Sequence, residues 1–284
     1  MPMSRRKALG QNFLRNAAAA DRIVEILSPR PGEPILEIGP GRGVLTSRLL
    51  ERGARVVAVE KDEALADLLR SRLGPGPDTD PEGDHPEARP GAGLDLIAGD
   101  ALEVDLGAIL RPHLLASGFA KARVLANLPY SVGTAILARL LCEPALFASL
   151  TVMLQREVAE RACAGPGSRV YGSLSVLTQY FTTPQIRMHL GPGSFQPPPK
   201  VASAVVEMPF REERELAPDA ERRYPPFVRA LFNQRRKMLP HNLAGCWNLS
   251  AREAAARLER IGIDPARRPE TLRREECLAL FIGV

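Results

Sequence analysis

No stretch of this 284-residue chain approaches the ~18 consecutive apolar residues that a membrane-spanning helix needs. The opening Met-Pro-Met-Ser-Arg-Arg-Lys leads into no apolar run, which argues against a secretory signal. Cysteine and histidine are scarce, with four of each. Cys142, Cys163, Cys246 and Cys277 lie far apart, without the paired spacing of a zinc site or a disulfide framework. His85, His113, His189 and His241 are equally scattered. The expectation is a cytoplasmic protein with free thiols and no bound metal.

What is present is a globular composition, 45% hydrophobic and 25% charged. The net charge of +5 is unevenly spread. Residues 1–16 carry Arg5, Arg6, Lys7 and Arg15 and no acid, and residues 211–284 carry fifteen Arg or Lys against eleven Asp or Glu. Residues 74–93 carry five acids against one arginine. Both ends are therefore basic, as a polyanion-binding protein requires, although basic runs also serve as plain solvated surface.

Ile-Leu-Glu-Ile-Gly over 35–39 predicts a buried strand and Val44–Leu50 a helix. Residues 55–60, rich in β-branched side chains, predict a second strand, followed by a helix from Asp62 to Leu73. Further strands are predicted at 94–98, 122–126 and 150–155. This alternation implies an α/β fold, a doubly wound and mostly parallel seven-stranded sheet. Residues 186–190 and 202–208 are strand-like, with a Gly/Pro-rich stretch and no helix between them, which predicts an antiparallel hairpin at the sheet edge. After Phe210, helices are predicted at Pro225–Leu239, Ser250–Ile261 and Thr271–Phe281, with Ser250 and Glu253 at capping-box spacing. The expected division is a sheet domain over 1–212, with a basic arm at 1–16, and a small all-α domain over 213–284. Residues 74–93 have almost no apolar side chains and predict a mobile loop.

Glu37-Ile38-Gly39-Pro40-Gly41-Arg42-Gly43 falls at the first strand-to-helix turn, where glycine allows close approach of a ligand to the backbone. The third glycine comes one residue too early for a nicotinamide fingerprint. The spacing is instead similar to the first motif of S-adenosylmethionine methyltransferases. Glu60 ends the second strand about 20 residues on, where a carboxylate accepts ribose hydroxyl bonds. Asp100, after the third strand, is placed to accept from an adenine amine. Either acid would also serve to cap the helix that follows it; it is the ordered set of three elements that favours a cofactor.

Asn127-Leu128-Pro129-Tyr130 follows the fourth strand. Asn and Pro are common in ordinary turns, but this turn lies at the sheet end expected to hold the cofactor. An adenine amine is a poor nucleophile because its lone pair is delocalised. The Asn127 side-chain oxygen and the Leu128 carbonyl can accept its N–H bonds, Pro129 stiffens the chain, and Tyr130 offers a face for a flipped base. No strong general base is evident. In Phe195-Gln196-Pro197-Pro198-Pro199-Lys200-Val201, three prolines make a stiff piece. It either holds Phe195 against the other face of the base or buries Phe195 in the core.

These segments, with Gln11–Leu14, Tyr171–Val176 and Phe232-Asn233-Gln234-Arg235-Arg236-Lys237, occur in the order found in the ribosomal RNA adenine dimethyltransferases of the KsgA type, which the chain resembles from about residue 5 onward. The resemblance implies a class I methyltransferase, Rossmann-like fold with S-adenosylmethionine as cofactor. It implies methylation of N6 in two adjacent adenines near the 3′ end of small-subunit ribosomal RNA, and a role in small-subunit assembly on a pre-30S-type particle. It also implies cofactor contacts from Asn12, Leu14, Gly39, Glu60, Asp100 and Asn127, with Gly41 in the same turn. Candidate RNA contacts are Arg5, Arg6, Lys7, Lys200, Arg235, Arg236 and Lys237, the last three on one helix, and a monomer is the default. The sequence departs from the family in its longer acidic loop at 74–93. It also lacks a proline over Ser131–Ala135, which predicts a looser helix start. Alternatives are a large-subunit adenine methyltransferase of the macrolide-resistance type, a DNA adenine methyltransferase, and a catalytically silent assembly or transcription factor.

Overall fold

The computed structural model describes residues 12–74 and 93–283. Arg5, Arg6, Lys7, Gln11 and most of the 74–93 segment lie outside the described residues. The chain divides into two compact units. One runs up to Ala159 and resumes over Gln185–Phe210; the other is Glu160–Pro184 with Arg211 to the C-terminal end. Residues 160–184 thus group with the C-terminal helices, where a single boundary after 212 had assigned them to the sheet.

The first unit holds β2 (Pro34–Ile38), β3 (Arg55–Glu60), β4 (Leu94–Ala98), β5 (Ala122–Asn127), β6 (Phe147–Gln155), β7 (Gln185–Leu190) and β9 (Ser203–Pro209) in one sheet. Their order is β4-β3-β2-β5-β6-β9-β7. The first five strands run parallel. β9 is antiparallel to both β6 and β7, so the hairpin does form, with β9 placed inside and β7 at the edge. The central strand β2 is buried along its whole length, as a strand covered on both faces must be, whereas β7 alternates between exposed and half-buried positions up to its buried last residue, Leu190.

Helix α1 (Ala17–Leu27) starts where the Asn16 side chain accepts from the Ala19 amide at 3.0 Å, and its buried Ala20, Ile23, Val24 and Leu27 follow helical spacing. Helices α2 (Val44–Glu51) and α3 (Glu63–Leu73) follow the β2 and β3 strands, with Asp62 capping α3. Leu49, Ile35 and Val56 are fully buried in the core they cover, each contributing about 1.5–3 kcal/mol by removal from water. A two-stranded ribbon pairs β1 (Phe13–Leu14) with β8 (Phe195–Gln196), Leu14 opposite Phe195. Phe195 is 1% exposed and belongs to this core.

The second unit packs Tyr180, Tyr224, Phe227 and Phe281 into an aromatic cluster, and Arg267 pairs with Glu276 at 2.7 Å, holding that carboxyl down to about 2. The helix expected over Pro225–Leu239 is two helices, Pro218–Leu231 and Leu239–Trp247. Pro240 stands in the first turn of the second helix, where a missing N–H leaves no intrahelical bond unmade. The Asn242 amide accepts from the Gln234 amide at 3.1 Å and donates to its carbonyl at 3.3 Å, holding 232–237 as a turn. Arg235, Arg236 and Lys237 are therefore exposed turn residues, not one helix. Ser250 and Glu253 do make the reciprocal cap bonds.

Candidate active site

The parallel strands end on one side of the sheet, where a cavity of about 370 Å³ opens, the size of a small-molecule site. Asn12, Leu14, Gly39, Gly41, Glu60, Asp100, Asn127, Leu128, Pro129 and Tyr130 all line it. Phe195 does not. Its ring is 1% exposed and packs in the core with Leu14 and Ile23 in the same cluster. Lys200 is exposed, and Arg235–Lys237 belong to the second unit.

The glycine turn is shaped by backbone requirements. Gly39 and Gly41 sit at φ +68° and +59°, a region that L side chains avoid. A Cβ on Gly41 would also lie 2.9 Å from the Phe13 ring. Phe13 covers the turn, and the Arg42 guanidinium lies 5.2 Å from its centroid. Both Glu60 oxygens accept backbone bonds, one from Gly41 N at 3.0 Å and one from Asp62 N at 2.9 Å. Each oxygen keeps a second lone pair. Burial pushes the Glu60 carboxyl up. Beneath it Glu37, 2% exposed, is pushed up to about 8 by burial, an effect reinforced by the charge of Glu60 and opposed by the Thr46 hydroxyl. Asp100 accepts from Leu102 N at 2.9 Å and pairs with Lys61 Nζ at 2.6 Å. The Lys61 ammonium holds the Asp100 carboxyl below the usual carboxylate range. Small inward-facing glycines beside two carboxylates with spare acceptor capacity fit an adenosine bearing a cationic tail.

On the other side, Asn127 ends β5 and its Nδ2 donates to the Asn12 carbonyl at 3.1 Å. That bond turns the amide so that Oδ1 is free of it. Leu128 N donates to Met153 O at 3.3 Å, continuing the ladder to β6, and Pro129 O accepts from Val132 N and Gly133 N. The next helix begins at Gly133 with no side-chain cap at Val132. Tyr130 is half-buried and its hydroxyl lies 2.6 Å from Ser203 Oγ; burial pushes the phenol up.

Sequence reasoning missed Lys61, Phe13 and Ser203. A lysine next to Glu60 was a usable signal for a pair with Asp100, but nothing local pointed from Tyr130 to Ser203.

Comparison with known proteins identifies the family. Residues 3–283 match the family described as ribosomal RNA adenine dimethylase. The ribosomal RNA small subunit methyltransferase A of Dinoroseobacter shibae is 42% identical, the alignment covering 98% of this chain and 91% of that protein. The protein of the same name from Geobacter metallireducens is 40% identical over 97% of this chain and 94% of its own length. Among solved structures, a dimethyladenosine transferase from Plasmodium falciparum shares the fold at TM-score 0.70 and 21% identity, with 94% and 95% of the two chains covered. The 23S rRNA methyltransferase ErmE is similar at TM-score 0.65 and 26% identity, with 96% and 99% covered. With this match running through both units and the site assembled as described, the chain belongs to the ribosomal RNA adenine dimethylase family.

Proposed function

We propose that this protein dimethylates N6 of two adjacent adenines near the 3′ end of small-subunit ribosomal RNA, using S-adenosylmethionine, during assembly of a pre-30S-type particle in the cytoplasm. The observation that carries the reading is Asn127: it stands at the end of β5 beside the glycine turn, its amide oriented by the Asn12 carbonyl.

Gly39, Gly41, Glu60 and Asp100 are the residues that would hold the cofactor, with Asn12 and Leu14 covering it. When bound, S-adenosylmethionine supplies a methyl group already activated on a sulfonium. The work left to the protein is orientation. Asn127 Oδ1 and the Leu128 carbonyl accept the N–H bonds of the adenine amine, favouring a pyramidal nitrogen with its lone pair directed away from the ring plane. Pro129 restricts the chain directly after them, and Tyr130 stacks on the base. A positioned amine in a water-poor pocket reacts faster because its reorganisation is done beforehand.

Arg235, Arg236 and Lys237 on their exposed turn, with Lys200 and the basic arm of Arg5, Arg6 and Lys7, supply phosphate contacts, and the protein acts as a monomer. Replacing Arg235, Arg236 and Lys237 together flattens the salt dependence of subunit binding by up to about three in log–log slope; an unchanged slope removes them from the interface.

The deciding experiment is mass spectrometry of ribosomal RNA after incubating unmethylated small subunits and, separately, unmethylated large-subunit RNA with the purified protein and labelled cofactor. Two adjacent dimethyladenines in small-subunit RNA are expected. A modified adenine in large-subunit RNA instead would favour the ErmE-like reading, which the 26% identity to that enzyme motivates. No transfer to either RNA would leave a binding protein.

A further inference from the structure

We propose that Ser203 is a positioning residue for methyl transfer: its buried hydroxyl anchors the far end of the Tyr130 side chain and so sets where the ring lies to receive the substrate base. The proposal rests on the reading of Tyr130 as the stacking face.

Tyr130 sits in the turn after β5, and a tyrosine side chain on a turn has two free torsions to settle. Its ring is tied at the far end by the 2.6 Å contact between its hydroxyl and Ser203 Oγ. The anchor is itself immobile. Ser203 is 0% exposed and opens β9 opposite Gln155 of β6 and Leu190 of β7, a strand on either side. The residue before it is held as well, since Arg156 N donates to the Ala202 carbonyl at 2.9 Å. A ring fixed at its backbone end by the Pro129 turn and at its hydroxyl by a strand inside the sheet has the direction of its long axis set.

This gives the proline-rich segment a different part in the site. Phe195 and Pro199 are buried, and they fix where the chain enters β9. Ser203, seven residues after Gln196 and the first residue of β9, reaches the pocket only through the Tyr130 side chain that lines it. A serine is suited to the position: its hydroxyl both donates and accepts, and it is small enough for the close packing between β6 and β7.

The test is a double-mutant cycle with Ser203→Ala, Tyr130→Phe and the combined variant, measured as kcat and as KM for unmethylated small subunits at saturating cofactor. Binding of S-adenosylhomocysteine is measured by calorimetry alongside. Tyr130→Phe removes the same hydrogen bond while leaving β9 intact, so the proposal stays testable if Ser203→Ala folds poorly. Each single variant is expected to lower kcat about three- to tenfold, the range for one lost hydrogen bond, with S-adenosylhomocysteine affinity unchanged. The combined variant should be no slower than the worse single, because both remove one interaction. Additive losses, or wild-type kcat in both single variants, overturn the role of Ser203. Tyr130→Ala separates the two layers of the argument. If it turns over like wild type, the stacking reading of Tyr130 fails. If it is inactive while Ser203→Ala and Tyr130→Phe are unaffected, only the positioning role fails.

Discussion

On the side of the pocket formed by the glycine turn, Glu60 and Asp100, the inward-facing groups belong to turns that follow three adjacent parallel strands, β2, β3 and β4. They are held by bonds to one another and to nearby backbone amides. On the side formed by Asn127–Tyr130, the side chains are held from far away, by the Asn12 carbonyl 115 positions distant and by Ser203 73 positions distant. The first side is a local cradle repeated along a sheet edge. The second is a single turn that owes its geometry to two remote segments. A change in the cradle should therefore show as cofactor affinity, and a change in the turn as rate.

The largest expected effect is on the rate side. Asn127→Ala should lower turnover by about 10²–10³-fold, the range for loss of one positioned polar group at a reacting centre, while cofactor affinity weakens at most moderately. If turnover survives, Asn127 does not orient the amine and the contrast between the two sides collapses. Gly41→Ala comes next and should act on the cradle. The positive φ and the 2.9 Å approach to Phe13 force the turn to shift, costing about tenfold or more in cofactor affinity. A calorimetric titration with normal affinity would show that the turn tolerates a side chain.

Glu37 allows a pH test of the cradle's floor. Its carboxyl is raised in the folded protein to about 8 from its ordinary 4.5, so the fold retains a proton that the unfolded chain has released. The resulting stability is fully present below about 4.5 and is lost as pH rises toward about 8, with a slope of at most about 1.4 kcal/mol per pH unit. Glu37→Gln should flatten that dependence in denaturant melts of the cofactor-free protein; an identical slope in the variant would place the titration elsewhere. Smallest is Lys61→Met. Its ion pair with Asp100 is largely solvent-exposed and screened, so cofactor affinity should change by less than about fivefold. A larger loss would make Lys61 a direct cofactor contact.

The same contrast explains what was legible beforehand. β4 was expected at 94–98 and is observed there, because a run of apolar residues between turns is a short-range signal. The glycine turn, Glu60 and Asp100 were found because strand ends can be counted along the chain. Elsewhere short-range signals ran out. The helix expected over Pro225–Leu239 is broken by the Asn242 clasp on Gln234, a bond between residues that propensity cannot pair. For Phe195 the sequence left a base-stacking role and the core both open, and the structure buries its ring among core residues from distant segments. Residues 160–184 join the C-terminal helices, which no composition shift at 160 announces.

The sequence alone determined the strand-turn-helix order, the carboxylates at successive strand ends and the Asn127–Tyr130 turn, because each depends on residues within a few positions of one another. The tertiary structure decided what holds that turn in working order. The orientation of the Asn127 amide and the direction of the Tyr130 side chain are set by hydrogen bonds to Asn12 and Ser203, and those partners meet only once β1 is paired with β8 and β9 is inserted between β6 and β7.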